Sequence, residues 1–277
     1  MFSLNCKGKL LIAEQPLVMG IINITPDSFY SSSRFINKGD ILKQAAKMLE
    51  EGAAILDIGG QSTRPGAEQL SIDEEAGRVI PAIELIHQQF PEAILSVDSY
   101  HSQIVIQAVS AGASIVNDIT AGNGDELMFE TVSRLNVPYI CMHMKGDPRN
   151  MQRNPVYDNV ITELLDFFIR KKNECNKAGI KDIILDPGFG FGKTIHHNFE
   201  ILNHFDSFKI LDCPLMIGVS RKSTIYKTLG VSVQEALNGT TVLNTIGLLK
   251  GAGILRVHDV KEAREAVKLI STIGNSY

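Results

Sequence analysis

Cysteine is scarce in this chain. Its 277 residues hold four, Cys6, Cys141, Cys175 and Cys213, none in a C-x-x-C and the closest two 34 positions apart. That spacing argues against a disulfide framework and a structural zinc site, and free thiols suit a reducing cytoplasm. Long apolar runs are missing as well, and none reaches the roughly 18 residues of a membrane span. The first residues, Met1-Phe2-Ser3-Leu4-Asn5-Cys6-Lys7-Gly8, lack the basic start, apolar stretch and cleavage site of a signal peptide. A cytoplasmic protein with no membrane partner is expected. Positive charge is not in excess: 27 Lys and Arg face 31 Asp and Glu, for a net charge of −4. No broad face can neutralise phosphates, which argues against a nucleic-acid binder but leaves room for a local basic pocket. Linkers and low-complexity runs are absent. What remains is ordinary globular composition, 44 % hydrophobic and 21 % charged. A chain this long buries roughly three quarters of its unfolded surface, so it needs no staples.

One pattern recurs. A helical segment ends in Gly, a short apolar strand follows, and the strand ends on a polar residue. Gly52 to Asp57, Gly112 to Asp118, Gly179 to Asp186 and Gly253 to His258 are the instances. Gly closes a helix in the left-handed conformation, and strands apolar along most of their length belong to parallel sheets buried on both faces. Read this way, strands fall at about 17–24, 53–59, 93–98, 114–119, 137–143, 182–186, 214–219 and 254–258. Helical patterns follow, as over Ile41 to Glu51, Ile72 to Phe90, Asn159 to Ala178 and Val233 to Lys250. Alternation of this kind predicts an α/β fold, a (β/α)8 TIM barrel spanning 1–277 as one domain. An open doubly wound sheet is the rival. Residues 1–13 precede the first unit, and a hairpin closing the barrel floor is expected there.

The predicted strand ends carry Asn23, Asp57, Asp98, Asn117, His143, Asp186, Ser220 with Lys222, and Arg256 with His258. A single Asp after a strand is as often the N-cap of the next helix. Capping does not select Asn, Lys, Arg and His at nearly every strand. Asp98, Asn117 and Asp186 offer acceptors suited to the N–H edge of a flat heterocycle with an amidine or guanidine group. Lys222 can donate to a carbonyl or ring nitrogen. Arg64, Arg256 and His258 suit a phosphate or pyrophosphate.

Asp186-Pro187-Gly188-Phe189-Gly190-Phe191-Gly192-Lys193-Thr194 approaches a phosphate loop but puts Pro187, which has no N–H, where that loop needs Gly. A turn presenting Phe191 to a ligand and a plain strand-to-helix loop both stay open. His196-His197 opens a helix, and adjacent helical residues do not face one way, so no metal pair is expected. Met142-His143-Met144 is read as packing, and His87 and His204 as surface or edge positions.

The motifs in order resemble a known family. Gly20-Ile21-Ile22-Asn23-Ile24-Thr25-Pro26-Asp27-Ser28-Phe29 and Asp57-Ile58-Gly59-Gly60-Gln61-Ser62-Thr63-Arg64-Pro65-Gly66 look like the two signatures of dihydropteroate synthases. Val97-Asp98-Ser99, Asn117-Asp118, Met142-His143-Met144, the Asp186 to Lys193 run, Ser220-Arg221-Lys222-Ser223 and Arg256-Val257-His258-Asp259 follow in the family's order. The resemblance implies a barrel, usually a homodimer, that condenses a dihydropterin methyl diphosphate with 4-aminobenzoate in folate synthesis, assisted by Mg²⁺. It implies Asp98, Asn117, Asp186 and Lys222 on the pterin, with Met142 and Gly190 in the same substrate pocket. Asn23 is implied at the metal and pyrophosphate. Thr63, Arg64, Arg256 and His258 are implied on the diphosphate, and Phe191, Lys222 and Ser223 at the aminobenzoate. Asp27 is implied as support for the developing cation, which makes Asp27, Arg64, Lys222, Arg256 and His258 the candidate catalytic set. The family's first loop usually continues Ser-Phe-Ser-Asp-Gly-Gly, where this chain has Ser28-Phe29-Tyr30-Ser31-Ser32-Ser33. A pterin-dependent methyltransferase, a Schiff-base aldolase using Lys222 and a catalytically dead pterin binder are the alternatives.

Overall fold

The computed structural model describes residues 1–24, 38–61, 70–146, 151 and 155–274. The chain opens with an antiparallel hairpin, β1 (Phe2–Cys6) on β2 (Lys9–Ala13). Alternating strands and helices follow: β3 (Leu17–Asn23), α1 (Lys38–Glu50), β4 (Ile55–Gly59), α2 (Ile72–Gln89), β5 (Ile94–Asp98), α3 (Ser102–Ala111), β6 (Ile115–Asp118) and α4 (Met128–Leu135). Then come β7 (Tyr139–Met142), α5 (Val160–Ala178), β8 (Ile183–Asp186), α6 (Ile195–Asn203), β9 (Met216–Ile217), α7 (Ser223–Leu229), α8 (Leu237–Leu249), β10 (Ile254–Val257) and α9 (Val260–Gly274). The eight strands after the hairpin form one parallel sheet in the order β8-β7-β6-β5-β4-β3-β10-β9. A bridge between Leu185 and Leu215 brings its two edges together, which closes the barrel and excludes the open sheet.

Two sequence expectations need correction. The strand expected over 214–219 is only Met216–Ile217, because Pro214 and Leu215 use their carbonyls outside a regular ladder, accepting from Leu185 and from Gly253. The left-handed turn before β10 is made by Gly251 (φ +98) and not by Gly253, which instead lies against the Phe2 ring.

Alternate strand residues face opposite sides, and the barrel uses that period to build its interior in tiers. The lowest tier takes one residue from each strand: Met19, Ile55, Ile94, Ile115, Ile140, Ile184, Met216 and Ile254 form a single buried cluster. Leu4 and Cys6 of the hairpin complete it from below. The hairpin is tied down by its Asn5 N–H, which donates to Asp182 at 2.7 Å, and by Lys7, which donates to the Val109 carbonyl at 2.8 Å. The expected floor is therefore present. The intervening residues, among them Val18, Leu56, Val116, Leu185 and Leu255, pack outward against the helices. Burial of each such side chain contributes about 1.5–3 kcal/mol. Two residues above the floor, the inward positions become Asp57, Ser96, Asn117, Met142, Asp186 and Arg256. Four of the polar strand-end residues, Asp57, Asn117, Asp186 and Arg256, thus stand in the second storey of an otherwise apolar barrel.

Candidate active site

Strand register places the polar residues side by side. Asn23 is level with Gly59, Gly59 with Asp98, and Asp98 with Asn117, across β3 to β6. Met142 is level with Asp186 on β7 and β8. Gly59 leaves the gap between Asn23 and Asp98 open, since a Cβ there would stand 3.3 Å from the Asp98 side chain.

Arg256 is the hub. Its Nε donates to Asp57 Oδ2 at 2.7 Å, and its Nη2 reaches Asp57 Oδ2 and Asp98 Oδ2, each at 2.6 Å. Burial works against the guanidinium, and the two carboxylates more than offset it, so Arg256 sits above the ordinary arginine value. Burial lifts the Asp98 carboxyl to about 7, with Arg256 pulling down and Asp57 pushing up. Asn117 Nδ2 donates to Asp57 Oδ2 at 3.0 Å. A carboxylate can only accept, so the amide orientation is fixed and Asn117 Oδ1 is left as an acceptor for a ligand.

Asp186 is buried and accepts from the Gly188 N–H at 2.8 Å. Burial raises its pKa, and the charge of Lys222 opposes the rise. Lys222 lies at the start of α7. Its ammonium donates to the Phe189 carbonyl and stands 4.5 Å from the centre of the Phe191 ring. Burial brings it down to about 8, against the attraction of Asp186. Ser223 follows it as the first residue of α7. His258, just beyond β10, is exposed. Its Nδ1 is 3.0 Å from Ser220 Oγ, and its backbone N–H donates to the same oxygen at 3.2 Å. Desolvation, then the Arg256 charge, brings the imidazole down to about 4.

The structure therefore brings together Asn23, Asp98, Asn117, Met142, Asp186, Gly190, Phe191, Lys222, Ser223, Arg256 and His258 at one end of the barrel. Asp27, Thr63 and Arg64, like the atypical loop Tyr30 to Ser33, lie outside the described residues. Two strand-end residues turn away. His143 points out of the barrel, edge-on to Phe167 at 4.8 Å between ring centres. Arg221 forms a two-pronged pair with Asp259 at 2.9 and 2.8 Å, locking the end of β9 to that of β10. Asp57, Ser220 and Lys193 matter more than their sequence context suggested. Asp57 had a readable signal, the inward position two residues above Ile55. The phosphate-loop likeness of 186–194 ends here, since Lys193 is buried and faces backbone carbonyls behind the turn. Among the described residues no cluster of three His, Cys, Asp or Glu could hold a metal. No described helix is long and apolar enough to cross a membrane.

Comparison with known proteins agrees with this geometry. The family model for pterin binding enzymes matches residues 19–258. The dihydropteroate synthase of Haemophilus influenzae is 41 % identical over 275 residues, 99 % of either chain. A solved Xanthomonas albilineans dihydropteroate synthase with 4-aminobenzoic acid superposes with a TM-score of 0.93 at 35 % identity, covering 99 % of both chains. Another structure from that organism, in complex with 7,8-dihydropteroate, covers both chains fully with a TM-score of 0.90 at 33 % identity. An interior tier of acceptors beside a lysine and an arginine, on a barrel that matches these proteins from end to end, places the chain in the pterin binding enzyme family, among the dihydropteroate synthases.

Proposed function

We propose that this chain joins 4-aminobenzoate to a 7,8-dihydropterin-6-ylmethyl diphosphate, giving 7,8-dihydropteroate and pyrophosphate. The observation that carries the assignment to residues is the interior row Asp98, Asn117 and Asp186 facing Lys222 and Arg256. Asp98, Asn117 Oδ1 and Asp186 accept the N–H groups along one edge of the pterin, and Lys222 donates to its carbonyl or ring nitrogen. Met142 and Gly190 line that pocket, and Phe191 and Ser223 meet the aminobenzoate. The C–O bond to the diphosphate breaks, the aniline nitrogen bonds to the methylene carbon, and one proton leaves that nitrogen. The leaving group is a stable anion, so no strong base is required. Arg256 and His258 stabilise the departing charge, joined by Thr63 and Arg64, while Asp27 supports the developing cation.

Mg²⁺ takes oxygen ligands and keeps several waters, so one protein oxygen plus substrate phosphates suffice. Asn23, a partly buried amide at the end of β3, fits as that protein ligand. Bound there, the ion would neutralise charge on the leaving pyrophosphate. The enzyme is expected to act as a homodimer in the cytoplasm, and sedimentation measures the assembly. The decisive experiment is pyrophosphate release with both substrates and with each omitted in turn. Release that does not need 4-aminobenzoate refutes the reaction. A borohydride-trapped adduct on Lys222 would favour the aldolase instead.

A further inference from the structure

Lys193 has no role in the chemistry above, yet it is 2 % exposed and fully engaged. It lies behind the glycine-rich turn that follows β8. Its Nζ is 2.8 Å from His143 Nδ1, 3.0 Å from the Phe191 carbonyl, 3.1 Å from that of Gly188 and 3.3 Å from that of His143. Carbonyl oxygens only accept, so the lysine donates to all three. An ammonium shared among these four acceptors matches the geometry and puts the His143 proton on Nε2. Burial pushes Lys193 well below the ordinary lysine value, and the Asp186 charge works to keep it protonated. Burial, then the Lys193 charge, holds His143 down at about 2, so the imidazole stays a neutral acceptor.

The bonds of this ammonium join the end of β7 to two points of the turn, Gly188 and Phe191. The approach is so close that a Cβ on Gly188 (φ +68) would stand 2.0 Å from the His143 carbonyl oxygen. One on Gly192 (φ +63) would stand 2.2 Å from that of Lys145. From the other side, Tyr157 donates to the Gly192 carbonyl and the Gly190 N–H donates to Asn198 Oδ1, both at 2.8 Å. The turn so fixed offers Lys222 the Phe189 carbonyl and the face of the Phe191 ring.

We propose that Lys193 is a positioning residue for 4-aminobenzoate. By clamping the 188–191 turn to the end of β7, it sets the Phe191 ring and, through the Phe189 carbonyl, the Lys222 ammonium beside which the aminobenzoate binds. This rests on the reading that the Phe191 side receives the aminobenzoate. The pterin shares Asp186 and Lys222 with the turn but keeps Asp98 and Asn117 on strands outside it, so it is affected less than the aminobenzoate.

The test is steady-state kinetics of the full chain carrying Lys193→Met, together with calorimetry of a pterin lacking the diphosphate. Loss of the clamp is expected to loosen the turn and so the seat of the aminobenzoate. The KM for 4-aminobenzoate is expected to rise about tenfold, with kcat and pterin affinity within about threefold of the parent. Asn198→Ala, which loosens the same turn from its outer side, is expected to give the same split at about threefold. An unchanged aminobenzoate KM in folded Lys193→Met, or an equal loss for both ligands, overturns the proposal. If Lys193→Met does not fold, Asn198→Ala decides on the same criteria. Phe191→Ala tests the underlying reading separately. If it leaves the aminobenzoate KM unchanged, that reading fails. If it raises the KM while Lys193→Met does not, only the role of Lys193 fails.

Discussion

At the scale of single residues, the site works by leaving polar groups inside a barrel with a defined set of partners. Asp57 is fully buried and holds both Arg256 and Asn117. Asp57→Ala leaves a half-buried guanidinium with half its compensation, and removal of one member of such a pair costs about 3 kcal/mol. Urea unfolding should record that loss, and a variant as stable as the parent would contradict the hub. Asp186→Ala and Lys222→Ala each strip one partner from the pterin edge, which should weaken binding by about 2–4 kcal/mol. Calorimetry with a pterin measures it, and near-parental affinity in either variant removes that residue from the pocket. Lys222 also sets a pH dependence. Its pKa of about 8 means a cation below that pH and a neutral amine above it. Only the cation attracts the electron-rich pterin edge fully, so affinity should decline above about pH 8, and it should also fall below about pH 7 as the Asp98 carboxylate that accepts from the pterin is protonated. Lys222→Arg stays charged across this range. That variant should lose the alkaline limb, and a limb that persists belongs to the ligand.

At the scale of elements, several helices bring their own start or stop signal. α2 opens with a capping box: Ser71 Oγ accepts from the Glu74 N–H at 3.3 Å, and Glu74 accepts from the Ser71 N–H at 2.9 Å. Ser71→Ala should cost about 1 kcal/mol, visible as a lower melting temperature with pterin affinity unchanged. Thr194 and His197 cap α6 in the same way, which gives His197 a structural part at the helix start. Such signals are local, and the helix positions were legible for that reason. The strand over 214–219 was not, since the length of a ladder depends on its neighbours and not on its own apolarity.

At the scale of the whole molecule, the barrel is unevenly sewn. β3 and β4 share five paired positions and β4 and β5 another five, whereas β9 shares two with β10 and a single bridge with β8. Hydrogen exchange should therefore release the β9 amides well before those of β4. Uniform protection around the barrel would show that closure does not depend on ladder length.

The sequence by itself determined the alternation of strands and helices, the hairpin, the family, and which residue types stand at the strand ends. These rest on short-range periodicity and on motifs contiguous in the chain. It did not determine where each strand-end side chain points. Met142 faces inward and His143 outward because the side-chain period is two, and only the closed sheet defines which side is in. The partnership of Arg256 with Asp57, 199 positions away, and with Asp98, 158 away, was invisible for the same reason. Arg256, legible as an anion-binding cation, is in the folded barrel also held by two carboxylates. Lys193, read as the end of a failed phosphate loop, becomes an internal clamp. Both outcomes depend on burial and on neighbours from distant strands, which the tertiary structure alone supplies.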